Sequence, residues 1–88
     1  MDERHFKMWV KSSCPYCQDA QLLLLQNALI HEVEVVDDNP TLLSEVQDRY
    51  EWRTVPVIVE YKGAEERLIG GYTDLVEHLK LPAIDAGG

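Results

Sequence analysis

His5-Phe6-Lys7-Met8-Trp9-Val10-Lys11-Ser12-Ser13-Cys14-Pro15-Tyr16-Cys17 is the stretch on which the fold turns. Its first half alternates, so Phe6, Met8 and Val10 share one side of a short strand. Ser12-Ser13-Cys14-Pro15 reads as a loop leading into a helix. Proline is favoured at the first helical position, because its missing N–H would be unbonded there anyway. The helix is expected from about Pro15 to about Ala28. Leu22-Leu23-Leu24-Leu25 makes it apolar on nearly all sides, which predicts a helix wedged between a sheet and another helix.

Working outward, His31 to Val36 alternates and reads as a second strand, and Asp37-Asp38-Asn39-Pro40 is a turn and helix-start signal. A second helix is expected from Thr41 to about Tyr50, with Leu42, Leu43, Val46 and Tyr50 facing inward. Val55 to Tyr61 is a strand with Pro56 near its beginning, a position a strand tolerates. Lys62-Gly63 turns the chain, Arg67-Leu68-Ile69 returns, and Gly70-Gly71 breaks the strand. A last helix runs from Thr73 to about Lys80, burying Leu75, Val76 and Leu79. Pro82 and Gly87-Gly88 mark a frayed tail over 82–88. The order is βαβ, then αββα. The first unit implies parallel strands with a right-handed crossover, and the short turn implies an antiparallel hairpin. The class is α/β: a small mixed sheet with helices on both faces, in one domain spanning 1–88 with its core at about 6–80.

Composition narrows the function. The chain has 88 residues and a formal net charge of −8, from 16 acidic and 8 basic side chains. That balance argues against nucleic acid, whose phosphates need a basic face, and against an anionic membrane. It suits solubility, or steering toward a partner protein with a basic patch. The polar N-terminus does not resemble a signal peptide, and no apolar run approaches the roughly 20 residues of a membrane span. The expectation is a soluble, cytoplasmic monomer.

Cys14 and Cys17 are the only cysteines. Two are too few for a secreted disulfide framework. Bridging them closes a very short loop and gains little from chain entropy, so chemistry explains the pair better than stapling. Cys14 lies just before a helix, where unbonded backbone N–H groups and the positive end of the macrodipole favour the thiolate. Lys11, three residues upstream, acts in the same direction. The thiolate is the nucleophile of thiol–disulfide exchange. Cys17 lies one turn in, on the same side of the helix, placed to attack a mixed disulfide formed at Cys14. It is expected to be less exposed, with a higher pKa. Pro15 limits backbone freedom between the two. Tyr16 either shapes the rim of the site or is a surface aromatic. Zinc needs about four ligands, and His5, His31 and His78 are too scattered to supply them, so no metal is expected.

Lys11-Ser12-Ser13-Cys14-Pro15-Tyr16-Cys17 resembles the active-site segment of dithiol glutaredoxins. Thr54-Val55-Pro56, with Arg53 ahead of it, resembles the Thr-Val-Pro segment of that family. Gly70-Gly71-Tyr72-Thr73-Asp74-Leu75 resembles its Gly-Gly-x-x-Asp-Leu segment. The resemblance spans about residues 6 to 80. It implies a thioredoxin-like fold, a four-stranded mixed sheet flanked by three helices, with Pro56 cis. It implies a glutathione-disulfide oxidoreductase with no tightly bound cofactor and glutathione as co-substrate. Cys14 would then be the nucleophile and Cys17 the resolving thiol.

The glutathione-binding set implied by the resemblance is Lys11, Tyr16, Thr54, Val55, Pro56, Gly71, Thr73 and Asp74. Val55 would offer its backbone to the substrate like an added strand. Thr73 and the start of the last helix would receive the γ-glutamyl carboxylate. Asp74 would pair with the ammonium, and Lys11 with the glycine carboxylate. Thr73 and Asp74 are also ordinary helix caps. The family's second-helix anchor falls near Leu43, with Gln47 and Arg49 the nearest polar residues, and Trp52 has no assigned role. The implied partners are disulfide-containing or glutathionylated proteins, ribonucleotide reductase being a recurring one in the family. Two alternatives remain: a redoxin recharged by thioredoxin reductase, and a glutathione-ligated [2Fe-2S] binding module.

Overall fold

The computed structural model describes residues 4–87, and side chains as far as Lys80. Its elements are β1 (Arg4–Val10), α1 (Pro15–Gln26), β2 (Ile30–Val35), α2 (Pro40–Tyr50), β3 (Val57–Lys62), β4 (Glu65–Gly70) and α3 (Tyr72–Gly87). The sheet order is β2-β1-β3-β4. β1 runs parallel to β2, with Val10 opposite Val35, and β3 runs antiparallel to both β1 and β4. Three helices on a four-stranded mixed sheet of this order make a thioredoxin-like fold.

The two central strands, β1 and β3, carry most of the core, burying Phe6, Met8, Trp9 and Val10 of one and Val57, Ile58 and Val59 of the other. Phe6, Met8, Val10 and Ile58 pack against Cys17, Ala20 and Leu24 of α1 and Leu75 of α3. On the opposite face Trp9, Val57 and Val59 pack with Val36 and with Val46 of α2. Leu42, Leu43 and Tyr50 join that second cluster as expected. Full burial of each such side chain contributes about 1.5–3 kcal/mol, and this is the main force joining the layers. Glu60 is the one buried charged side chain among the described residues. Arg4 Nη1 at 3.2 Å and His78 Nε2 at 3.1 Å offset its desolvation and tie α3 to the sheet.

α1 departs from its expected environment. Leu24 is fully buried and Leu23 partly so, but Leu22 and Leu25 are 52% and 59% exposed. With a single sheet to cover, α1 buries one stripe (Cys17, Ala20, Leu24) and is not wedged between layers. It also ends at Gln26, not Ala28. The Leu29 N–H bonds the Leu24 carbonyl and the Ala28 N–H bonds that of Leu25, both at 3.0 Å, with Ala28 at φ +54°. This is a Schellman closure with alanine where glycine is usual.

β3 begins at Val57, two residues later than expected, because Pro56 has no N–H to give the ladder. The Val55–Pro56 peptide is cis, as the resemblance implied. The backbone of α3 continues to Gly87, past the end that Pro82 suggested near Lys80. The side chains of the expected frayed tail, 82–88, lie outside the described set.

Candidate functional site

Cys14 is the N-cap of α1, with extended backbone (φ −107°, ψ 108°) and Pro15 at the first helical position. Its Sγ accepts the Cys17 N–H at 3.1 Å, and its carbonyl accepts the Gln18 N–H at 3.2 Å. The sulfur thus takes the place a serine or asparagine oxygen usually holds at a helix start. An anion there gains from that N–H and from the helix dipole. No acidic side chain stands in the first turn to oppose it. Cys14 is half-buried, and its Sγ lies 3.9 Å from the Val55 carbonyl oxygen. The Val55–Pro56 turn therefore faces the sulfur directly.

Cys17 is 3% exposed. Burial first, then its hydrogen bond and charge interaction with Cys14, push its thiol up to about 12, against a smaller opposing hydrogen bond with the Lys11 backbone. At neutral pH Cys17 is a protonated thiol beneath a partly accessible sulfur. This is the asymmetry expected of an attacking and a resolving thiol.

Asp37 holds the loop before Cys14. Its Oδ1 accepts the Ser12 N–H at 2.9 Å, and its Oδ2 accepts the Ser12 hydroxyl. Those two bonds, with Lys11 nearby, keep the Asp37 carboxyl below the usual carboxylate range. Sequence reading took Asp37 for a turn residue only. The available signal was register: Val10 opposite Val35 brings position 37 level with position 12.

A groove of about 290 Å³ is lined by Tyr16, Trp52, Thr54, Val55, Pro56, Gly71, Tyr72, Thr73 and Asp74. Every residue of the expected glutathione-binding set except Lys11 is in that lining, drawn from three distant segments. Lys11 is exposed and lies outside that lining. Two aromatic residues complete the walls. Tyr72 stacks on Tyr16, with centroids 6.1 Å apart and planes at 26°. Trp52, unassigned from sequence, forms part of the wall as well as packing under α2. Nothing in the sequence marked Tyr72 beyond its place between Gly71 and Thr73.

α3 starts at the groove. Asp74 Oδ2 accepts the Gly71 N–H at 3.0 Å, the reach-back half of a capping box. Asp74 is thus a helix cap as well as a groove residue. Gly70 (φ +119°) makes room for it: a Cβ there would stand 2.7 Å from Asp74 Oδ2. The N–H groups of Tyr72, Thr73 and Asp74 have no acceptor within the helix and remain to meet an anion.

Gln47 and Arg49 are absent from the groove lining. Arg49 grips Glu66 at 2.9 and 3.0 Å and borders a separate hollow with Trp9, Tyr50 and Tyr61. Among the described residues no group of three or more His, Cys, Asp or Glu side chains could hold a metal ion.

The glutaredoxin family model matches residues 6–63. The chain belongs to the glutaredoxin family. It is 38% identical over 69 residues to Glutaredoxin-1 of Gallus gallus, a match covering 77% of this chain and 66% of that relative. The aligned part therefore falls just short of two thirds of the relative's length.

Proposed function

We propose that this glutaredoxin is a glutathione-dependent thiol–disulfide oxidoreductase that reduces protein disulfides and glutathione mixed disulfides. The observation that carries the reading is Cys14 Sγ at the start of α1, bonded by the Cys17 N–H and 3.9 Å from the carbonyl oxygen of the groove residue Val55, with the Cys17 thiol buried. The Cys14 thiolate attacks one sulfur of a disulfide, forms a mixed disulfide with it, and expels the other sulfur as a thiolate. Cys17 gives up its proton and attacks Cys14 Sγ. The Cys14–Cys17 disulfide forms, and the second substrate thiol leaves. A Cys14 sulfur in a mixed disulfide carries no negative charge to oppose ionisation of Cys17.

Two glutathione thiols complete the cycle. The first opens the internal disulfide to leave glutathione on Cys14 and a free Cys17 thiol. The second removes it as glutathione disulfide. The groove suits the tripeptide: N–H groups at the start of α3 for the γ-glutamyl carboxylate, Asp74 for the ammonium, and the Val55 backbone for the cysteinyl unit. Lys11 lies off the groove, so its pairing with the glycine carboxylate is the weakest contact of the set. Its partners on this reading are glutathione and disulfide-containing or glutathionylated proteins. A cytoplasmic location follows from its need for a reducing glutathione pool.

The test is NADPH oxidation coupled through glutathione reductase, with a small glutathione mixed disulfide as substrate. Activity in the wild type and in Cys17→Ser, lost in Cys14→Ser, supports the reading. Turnover only with thioredoxin reductase would replace it.

A further inference from the structure

Trp52 borders the groove without a task in the chemistry above. The point a Cβ on Gly71 would occupy lies 3.7 Å from Trp52 Cζ2, 3.8 Å from Asp74 Oδ2 and 3.9 Å from the Pro56 carbonyl oxygen. The edge of the indole, the start of α3 and the turn before β3 therefore meet at one end of the groove. Cζ2 is two bonds from Nε1. That nitrogen is buried without a hydrogen-bond partner, the one side-chain nitrogen or oxygen in that condition among the described residues. Native proteins rarely leave a buried donor unpaired, because the lost hydration is not replaced. A phenylalanine would keep the packing under α2 and avoid the penalty.

The charges around the groove say what this donor meets. Its lining has no Lys, Arg or His, and its one ionic side chain is the carboxylate of Asp74. Arg53, next to Trp52, is held by Asp48 at 2.7 Å. A carboxylate arriving at the start of α3 has only neutral donors in the lining to hold it: backbone N–H groups, the hydroxyls of Thr54, Thr73, Tyr16 and Tyr72, and the Trp52 indole.

We infer that Trp52 is a specificity-determining residue, its indole N–H donating to the γ-glutamyl carboxylate of bound glutathione after a small turn of the ring. The inference rests on the glutathione reading. It makes the γ-glutamyl unit the part of the ligand that Trp52 distinguishes from a shorter thiol peptide.

The experiment uses Cys17→Ser protein carrying glutathione, or cysteinylglycine, as a mixed disulfide on Cys14. The two indole N–H resonances, from Trp9 and Trp52, are recorded by ¹H–¹⁵N NMR and assigned with Trp52→Phe. The expected result is a downfield move of the Trp52 signal in the glutathione adduct and none in the cysteinylglycine adduct. In steady-state assays Trp52→Phe should raise KM for the glutathione mixed disulfide about tenfold, equivalent to about 1.4 kcal/mol, with kcat changed less than about twofold. An adduct that forms while the Trp52 signal stays in place, with KM unchanged in Trp52→Phe, overturns the inference and leaves the glutathione reading intact. Failure of glutathione to add to Cys14 at all overturns both. The shift is read on a chain with both tryptophans, and Trp9→Phe gives a second, independent assignment of the two signals, so a folding defect in Trp52→Phe cannot hide it.

Discussion

α1 and α2 begin in the same way. Each has a capping side chain followed by proline, and each cap accepts the N–H of the third helical residue at 3.1 Å: Cys17 to Cys14 Sγ, and Leu42 to Asn39 Oδ1. Neither first turn contains an acid. What differs is the atom at the cap and the side chain one turn in. Asn39 and Leu42 hold a helix on the sheet and can do nothing else. A sulfur in place of the amide oxygen, with a second, buried sulfur one turn in, makes the same joint the redox centre of the function proposed above. The candidate site is thus an ordinary helix start with two side chains exchanged.

Separating the chemistry from the cap is the largest expected effect. Cys14→Ser keeps a good capping oxygen and removes the nucleophile. Activity should fall at least about a thousandfold, while stability by urea unfolding changes by less than about 1 kcal/mol. A large loss of stability would mean that the sulfur is not equivalent to the asparagine oxygen.

The next effect comes from the buried member of the pair. The folded-state pKa of Cys17, about 12, lies above its ordinary value of 9.0. The fold therefore favours the neutral thiol. That contribution is complete below about pH 9 and is lost as pH rises toward 12. Unfolding free energy measured from pH 8 to 11 should decline, and decline less steeply in Cys17→Ala. The raised pKa of Tyr50 acts in the same direction, so the difference between the two proteins is the informative quantity.

α3 offers a third helix start, capped from within by Asp74. Gly70→Ala forces a Cβ against that carboxylate at positive φ. It should cost about 1–3 kcal/mol by urea unfolding and raise KM for glutathione mixed disulfides. The smallest effect belongs to the inert joint. Asn39→Ala should cost about 1 kcal/mol and leave turnover unchanged, since Asn39 lies outside the groove lining.

Both joints were legible in the sequence, because a polar or thiol cap followed by proline is a local signal. So were the element order and the inward residues of α2. The exposure of Leu22 and Leu25 was not, since an all-apolar turn does not say how many layers will cover it. The groove joins Tyr16, Thr54–Pro56 and Gly71–Asp74 across the fold, and only the family resemblance grouped them in advance. Asp37 and Trp52 escaped for a related reason. One depends on the register of two parallel strands, the other on a ring reaching from the α2 side to the start of α3. Lys11 was placed by analogy with the family, and it stands outside the groove lining.

The bond from the Cys17 amide to Cys14 Sγ also closes a thermodynamic cycle. A sulfur anion accepts that bond well, and a sulfur locked in a disulfide accepts it poorly. Whatever the joint adds to the folded dithiol is therefore withheld from the folded disulfide. The two unfolded forms do not share that difference, so folding itself shifts the electron affinity of the pair. Each 1.4 kcal/mol of preferential support for the dithiol raises its potential by about 30 mV. On this view helix capping is a voltage setting, and substitutions at the start of α1 that leave both cysteines in place should tune it.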